Sequence, residues 1–217
     1  DFQNYSKKYL TKTNYYSFLR EFNELEIARQ FAGMEKYHKV FRSCNRGSKI
    51  GGIWCGKCSK CLFSYIMLYP FLGEKLKGIF GKDLLDDENL SPIMGELLQL
   101  PGKFKPFECV GTKEEIEYAL LLSILKLQGK NLPKLLGKYK DKISVLILGF
   151  GREGQATLGF LKKYLPEKQI TISDRKDGKN YLDRIKDYDI IIKSPGIPYF
   201  PDIKKAKEII KSFLKDI

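Results

Sequence analysis

The stretch from Cys44 to Cys61 constrains this chain more than any other. Four of the five cysteines lie in it, spaced C-x10-C-x2-C-x2-C as Cys44, Cys55, Cys58 and Cys61. Thiolates three residues apart let one turn face a single ion, and a more distant cysteine completes a tetrahedron. This is the pattern of a structural Zn2+ site. Gly51, Gly52 and Gly56 give the turns their freedom. The apolar run Leu62-Phe63-Ser64-Tyr65-Ile66-Met67-Leu68-Tyr69, closed by Pro70, predicts a buried helix. Cys58 and Cys61 then stand at its N-terminus, where the helix dipole favours thiolates. Disulfides are the rival reading. Nothing marks the chain as secreted, and pairing the four would leave Cys109 over. Arg42 and Arg46 flank Cys44, to neutralise the thiolates or to reach an anionic ligand.

The rest of the chain divides in two by charge and rhythm. The formal net charge is +13, of which residues 1–128 carry +4 and residues 129–217 carry +9. Such a balance fits an anionic partner, or a lysine-rich surface with no single basic stripe. No apolar run is long enough to span a bilayer and no signal peptide leads the chain, so a cytoplasmic location is expected. The start at Asp1 reads as that of a fragment of a longer protein.

Leu19 to Phe31 reads as a helix, with Phe22, Leu25, Ala28 and Phe31 every third residue. The acidic loop 81–89 reads as a solvated turn, Ser91 as an N-cap before Pro92, and Pro101-Gly102 as the end of that helix near Leu100. Thr112 and Glu115 form a capping box for a core helix running to Gln128. Glu108 and Cys109 precede that helix, where they can act on an anionic substrate, although Cys109 also fits as a small buried hydrophobe. Residues 129–142, with five lysines, two glycines and Pro133, read as a linker between domains 1–128 and 143–217.

The second block is of βαβ type. Ile143–Leu148 is a buried parallel strand running into Gly149-Phe150-Gly151-Arg152-Glu153-Gly154, a complete G-x-G-x-x-G. A helix over 153–164 follows, then a strand 169–173 ending in Asp174-Arg175-Lys176. A third strand, 188–193, ends in Ser194-Pro195-Gly196-Ile197-Pro198, and a lysine-rich helix is expected over 202–217. The fold class expected is therefore two domains: a mainly α zinc-knuckle domain and a truncated Rossmann-like parallel-sheet domain. The glycine turn points to a nucleotide held at a helix N-terminus.

These motifs carry resemblances. Phe41-Arg42-Ser43-Cys44-Asn45-Arg46, Trp54–Phe63 and Phe107-Glu108-Cys109-Val110-Gly111-Thr112 are similar to the C-terminal part of the UDP-N-acetylmuramoyl-L-alanyl-L-glutamate epimerases. The cysteine run also resembles the zinc site of ATP pyrophosphatases of the 7-cyano-7-deazaguanine synthase type. Val145 to Pro198 resembles the UDP-binding N-terminal domain of the muramoyl-amino-acid ligases. That resemblance implies that Gly149, Gly151, Arg152, Glu153 and Gly154 line a diphosphate turn. It places Asp174, Arg175 and Lys176 near a uridine, and has Ser194, Pro195 and Gly196 close the pocket. Together the resemblances imply peptidoglycan-precursor synthesis on UDP-N-acetylmuramoyl-L-alanine or its glutamyl product, combining glutamate epimerisation with substrate binding for ATP-dependent ligation. ATP and Mg2+ would then serve the full-length enzyme from sites outside this chain, which alone would be inactive. Cys109 or Glu108 would be the base that moves the glutamate Cα proton. The rivals are a zinc-knuckle nucleic-acid binder, disfavoured for want of interleaved basic and aromatic residues, and an NAD-dependent dehydrogenase with a structural zinc.

Overall fold

The computed structural model describes residues 2–10, 12–178, 180–183 and 185–198. The helix expected over 202–217 lies outside them. In chain order the elements are α1 (Phe2–Tyr9), α2 (Glu24–Ala32), α3 (Glu35–His38), α4 (Ser59–Leu72), α5 (Leu76–Phe80), α6 (Ser91–Leu97), α7 (Lys113–Lys126), α8 (Lys134–Tyr139), β1 (Val145–Leu148), α9 (Arg152–Tyr164), β2 (Ile170–Ser173) and β3 (Ile190–Lys193). A helical part thus precedes a small parallel sheet.

Capping sets the helix boundaries. The helix expected from Leu19 starts only at Glu24, because Asn23 accepts from the Glu26 amide while Glu26 accepts from the Asn23 amide. Phe22 is left outside it and exposed. α4 begins after Cys58, its N-cap, and runs through the buried Pro70 to stop before Gly73. Ser91 is the first residue of α6 rather than its cap, and its hydroxyl pairs with the Tyr139 hydroxyl at 2.9 Å. α7 starts at the expected Thr112–Glu115 box, and every residue from Ile116 to Ile124 is buried.

The core centres on α4, whose Leu62, Tyr65 and Ile66 are fully buried. α7 and α2 both pack against α4. The stretch read as a linker is packed as well. Its lysines 130, 134, 138 and 142 stay exposed, while Pro133, Leu135, Leu136 and Tyr139 are buried. The Leu135 amide bonds to the Leu85 carbonyl at 2.9 Å, and the Lys134 amide to Asp86 at 3.2 Å. The acidic loop that receives them is no plain solvated turn, since Leu84 and Leu85 are fully buried.

The sheet has the order β2-β1-β3, all parallel, with Val145 opposite Ile170 on one side and Ile190 on the other. Side chains alternate across a strand. Val145 and Ile147 join the same core as α4 and α7, while Leu146 and Leu148 pack with Ile185, Ile191 and Ile197 on the far face. One polar junction ties α7 to the sheet. Lys113 Nζ lies 2.9 Å from Asp189 and 3.1 Å from Glu117, and the Ser144 amide and hydroxyl donate to Asp189 at 2.8 and 2.7 Å.

Candidate functional site

The four clustered cysteines come from a loop and a helix start. Cys44 precedes a short 3-10 turn, Gly47–Ile50, and Cys55 follows it. Cys58 is the N-cap of α4 and Cys61 lies in its first turn. All four Sγ atoms lie within 4.8 Å of one another. The Cys58–Cys61, Cys55–Cys61 and Cys44–Cys58 separations are 3.5, 3.7 and 3.8 Å. A disulfide would need about 2.0 Å, and all four are free thiols. A tetrahedron with metal–sulfur bonds of about 2.3 Å has edges of about 3.8 Å. The arrangement therefore fits a tetrathiolate metal centre. Hydrogen bonding between Cys58 and Cys61 lowers the Cys58 thiol, and the same pairing, with burial, raises that of Cys61.

The surroundings keep this geometry. The Gly47 amide donates to Cys44 Sγ at 3.1 Å. Gly47 has no room for a side chain, since an added Cβ would lie 1.6 Å from the Ile53 carbonyl oxygen. Arg42, expected to neutralise the thiolates or bind an anion, instead donates to the carbonyls of Phe41 and Gly52 at 2.6 and 2.7 Å, which closes the loop. Trp54 stacks on Phe80 and packs against Phe41, walling one side.

Glu108 and Cys109 part company despite being adjacent. The Ser59 hydroxyl, one residue after the ligand-type Cys58, donates to Glu108 Oε2 at 2.7 Å. Cys109 is exposed and lines a cavity of about 320 Å³ between α2 and α4, together with Glu24, Ser43, Phe63 and Ser64. The Glu24 carboxyl is raised above its ordinary value, by burial first and then by the charge of Glu115. Neither Ser59 nor Glu24 was singled out from the sequence. Ser59 lies 49 residues from its partner, so no local pattern marks it.

The glycine turn sits at the carboxyl end of the sheet. Gly149 has φ +90°, and a Cβ on Gly154 would lie 2.1 Å from the Gly149 carbonyl oxygen, so α9 starts against the turn's backbone. Ser194 Oγ donates to the same carbonyl at 2.8 Å, and the Ser194 amide donates to Leu148 at 2.9 Å. The Phe150 amide donates to Asp174 Oδ2 at 2.5 Å. Turn, Asp174 and Ser194 are thus brought together. β2 and β3 flank β1 on opposite sides, so the crevice between the ends of β1 and β3 is a topological switch point, where open α/β sheets bind ligands. Gly151 has open space beside it, and α9 begins without a side-chain cap.

Arg152 and Glu153, in the first turn of α9, and Arg175, Lys176, Pro195 and Gly196, after the ends of β2 and β3, are all exposed. Asp174 is less free than expected. Its two oxygens accept from the Phe150 and Lys176 amides, which lower its carboxyl below the ordinary value. Lys193, which sequence reasoning passed over, donates to the carbonyls of Ser194 and Ile197 and so braces the third loop.

Comparison with known proteins covers the first half of this site. Residues 40–143 match the family of the MurL C-terminal domain. The tract contains the four clustered cysteines, Ser59, Glu108 and Cys109. The UDP-N-acetyl-alpha-D-muramoyl-L-alanyl-L-glutamate epimerase of a Micromonospora species is 43% identical over 123 residues, which are 55% of this chain and 27% of that protein. Those of Xanthomonas oryzae and Salinispora tropica are 44% and 46% identical over 112 residues, 49% and 50% of this chain. The matched part is 25% and 24% of those two proteins. This chain therefore spans about a quarter of the length of the curated relatives it matches. No solved structure matches it significantly. Among the described residues, no helix is long and apolar enough to cross a membrane.

Proposed function

We propose that this chain is part of an enzyme of peptidoglycan-precursor synthesis that inverts the terminal glutamate of UDP-N-acetylmuramoyl-L-alanyl-L-glutamate. The match of residues 40–143 to the MurL C-terminal domain carries the reading. It is supported by relatives of that activity at 43 to 46% identity.

Inversion takes a proton from the glutamate Cα on one face and returns one on the other, with no net change in oxidation state. Such a proton is abstracted slowly unless the neighbouring carboxylate is activated. ATP with Mg2+, in the full-length enzyme, is the expected activator. The base is assigned to Cys109, which is exposed at a cavity with room for a side chain or a small peptide. Glu108 is the alternative, held beside it by Ser59.

The reading extends to the second half of the chain. The turn Gly149–Gly154, with Ser194–Gly196 across the switch point, holds the UDP part of the substrate. Its diphosphate lies at the start of α9, where amides and helix dipole favour an anion. In its fullest form the proposal includes UDP-N-acetylmuramoyl-L-alanine on this turn, bound for ATP-dependent addition of glutamate. The geometry of the three strand ends supports the nucleotide, and the likeness of the loop motifs supports the ligase step.

Two experiments separate these parts. In the full-length natural protein, assayed in deuterated water, Cys109→Ala is expected to cut deuterium entry at the glutamate Cα by roughly 100-fold or more. Exchange unchanged in both Cys109→Ala and Glu108→Gln would remove the base assignment. For the present chain, a thermal-shift panel of UDP, UDP-N-acetylmuramoyl-L-alanine, NAD and single-stranded DNA reads binding to the folded state. Stabilisation by the two uridine compounds alone is expected. A shift with NAD or DNA alone would favour a dehydrogenase or a nucleic-acid binder.

A further inference from the structure

The sulfur cluster and the Glu108 segment are one unit. We infer that Cys44, Cys55, Cys58 and Cys61 hold a single Zn2+ as a closed tetrathiolate centre, and that this centre acts through Ser59 to hold Glu108 and the residues beside it in place.

The metal follows from the thiols. Four sulfurs gathered within 4.8 Å form no disulfide. Cys44, Cys58 and Cys61 are buried, at 2%, 4% and 0% exposure. Sulfurs held this close suit thiolates gathered on one cation, whose charge offsets their mutual repulsion. No lysine or arginine supplies the charge within the described contacts. Arg42 is committed to two backbone carbonyls, and Lys60 reaches Asn45 at 3.4 Å. Three of the six separations are 3.5 to 3.8 Å and all lie within 4.8 Å, which suits four ligands on one ion. A [4Fe–4S] cluster would set each cysteine on a different iron and a [2Fe–2S] cluster two on each of two irons, so either would hold sulfurs on different irons farther apart than 4.8 Å. Sulfur-only, tetrahedral coordination suits Zn2+, and four protein ligands leave no position for water or substrate. The ion is structural.

The coupling follows from where Ser59 sits. It lies directly after the ligand Cys58 and within one turn of the ligand Cys61, so an ion fixed to both fixes the first turn of α4. From that turn the Ser59 hydroxyl reaches Glu108 Oε2 at 2.7 Å, a charge-assisted bond that adds to the burial of Val110 in holding this segment. Within that segment the Glu108 amide bonds to Pro106 and the Val110 amide to Glu108, both at 2.8 Å. Phe104 and Phe107 project into solvent and contribute no anchoring burial. Ser59 is thus a positioning residue, and metal occupancy sets the order of the loop segment that carries Cys109. The metal site stands independently of the proposed reaction. Only the importance of Glu108 and Cys109 rests on that reading.

Elemental analysis of the chain purified without chelator, amide exchange of residues 103–112, and the variants Cys44→Ser and Ser59→Ala test this. About one zinc per chain is expected in the parent and in Ser59→Ala, and little in Cys44→Ser. Replacement by Co2+ should give the intense visible bands of a tetrahedral thiolate site. Ser59→Ala should keep its metal yet exchange the Glu108 and Val110 amides roughly tenfold faster, the loss expected for a bond to a charged group. Reversible removal of the metal from the parent should do the same, which serves as the readout if Cys44→Ser does not fold. A folded chain without metal, or with iron in place of zinc, would overturn the zinc assignment. Exchange unaltered in Ser59→Ala would overturn the coupling.

Discussion

At the scale of single residues, two positions carry sharp expectations. Glu117 is 3% exposed, and its Oε2 has no hydrogen-bond partner. Burial, then the charge of Asp189, raises its carboxyl to about 8, against a smaller opposing pull from Lys113. A group whose folded value lies above its unfolded one binds its proton more tightly in the native state. Its contribution to stability is therefore present below about 4.5 and is lost as pH rises toward about 8. Glu117→Gln should remove that loss. Denaturation at pH 9 should find the variant more stable than the parent by on the order of 2 kcal/mol, with little difference at pH 4. The second position is Gly47. Its missing side chain leaves room for the Ile53 carbonyl, so Gly47→Ala must move the loop that carries Cys44. The expected result is a loss of roughly 3 kcal/mol or more, with weakened metal retention, read by thermal unfolding and elemental analysis.

At the scale of elements, each helix start in the site has a separate physical origin. α7 is set by a local capping box, and α4 by a cysteine N-cap with no side-chain hydrogen bond to the helix amides. α9 is set by the contact of Gly154 with the turn before it. A side chain at Gly154 would press on the Gly149 carbonyl and lift α9 from the end of β1. Gly154→Ala should therefore lower the melting temperature and abolish any stabilisation by UDP. Gly151→Ala, at a position with open space, should leave the fold intact and so separate binding from folding. A UDP shift preserved in Gly154→Ala would argue against the turn as the nucleotide site.

At the scale of the whole molecule, the decisive feature is continuity. One apolar cluster runs from Leu25 on α2 through α4, α7 and α8 to Val145, Ile147 and Ile190 of the sheet. Leu136, in the lysine-rich segment, is 1% exposed. Leu136→Ala should cost about 2–5 kcal/mol. If the helical part and the sheet share that core, the cost appears in a single cooperative transition, followed together by Trp54 fluorescence and by exchange of the β1 amides. Two transitions, of which only one moves, would show that the parts fold separately. The Lys113–Asp189–Ser144 junction supports the single transition, since it binds α7 to the strands from outside the apolar core.

What the sequence determined by itself was local or covalently spaced. The intervals between Cys44, Cys55, Cys58 and Cys61 by themselves imply a cluster. The Thr112–Glu115 pair placed the start of α7, and a continuous apolar run leading into Gly149–Gly154 placed a strand, turn and helix. In each case the partners lie within a few turns of one another, so chain geometry limits where they can go. Only the tertiary structure decided that Ser59 reaches Glu108, that Asp174 braces Phe150, and that Lys113 meets Asp189. It also decided that a lysine-rich stretch belongs to the core, because burial depends on which leucines the distant chain can cover and not on how many lysines stand between them. Bonds across tens of residues leave no periodic trace, for their spacing is set by how whole elements pack.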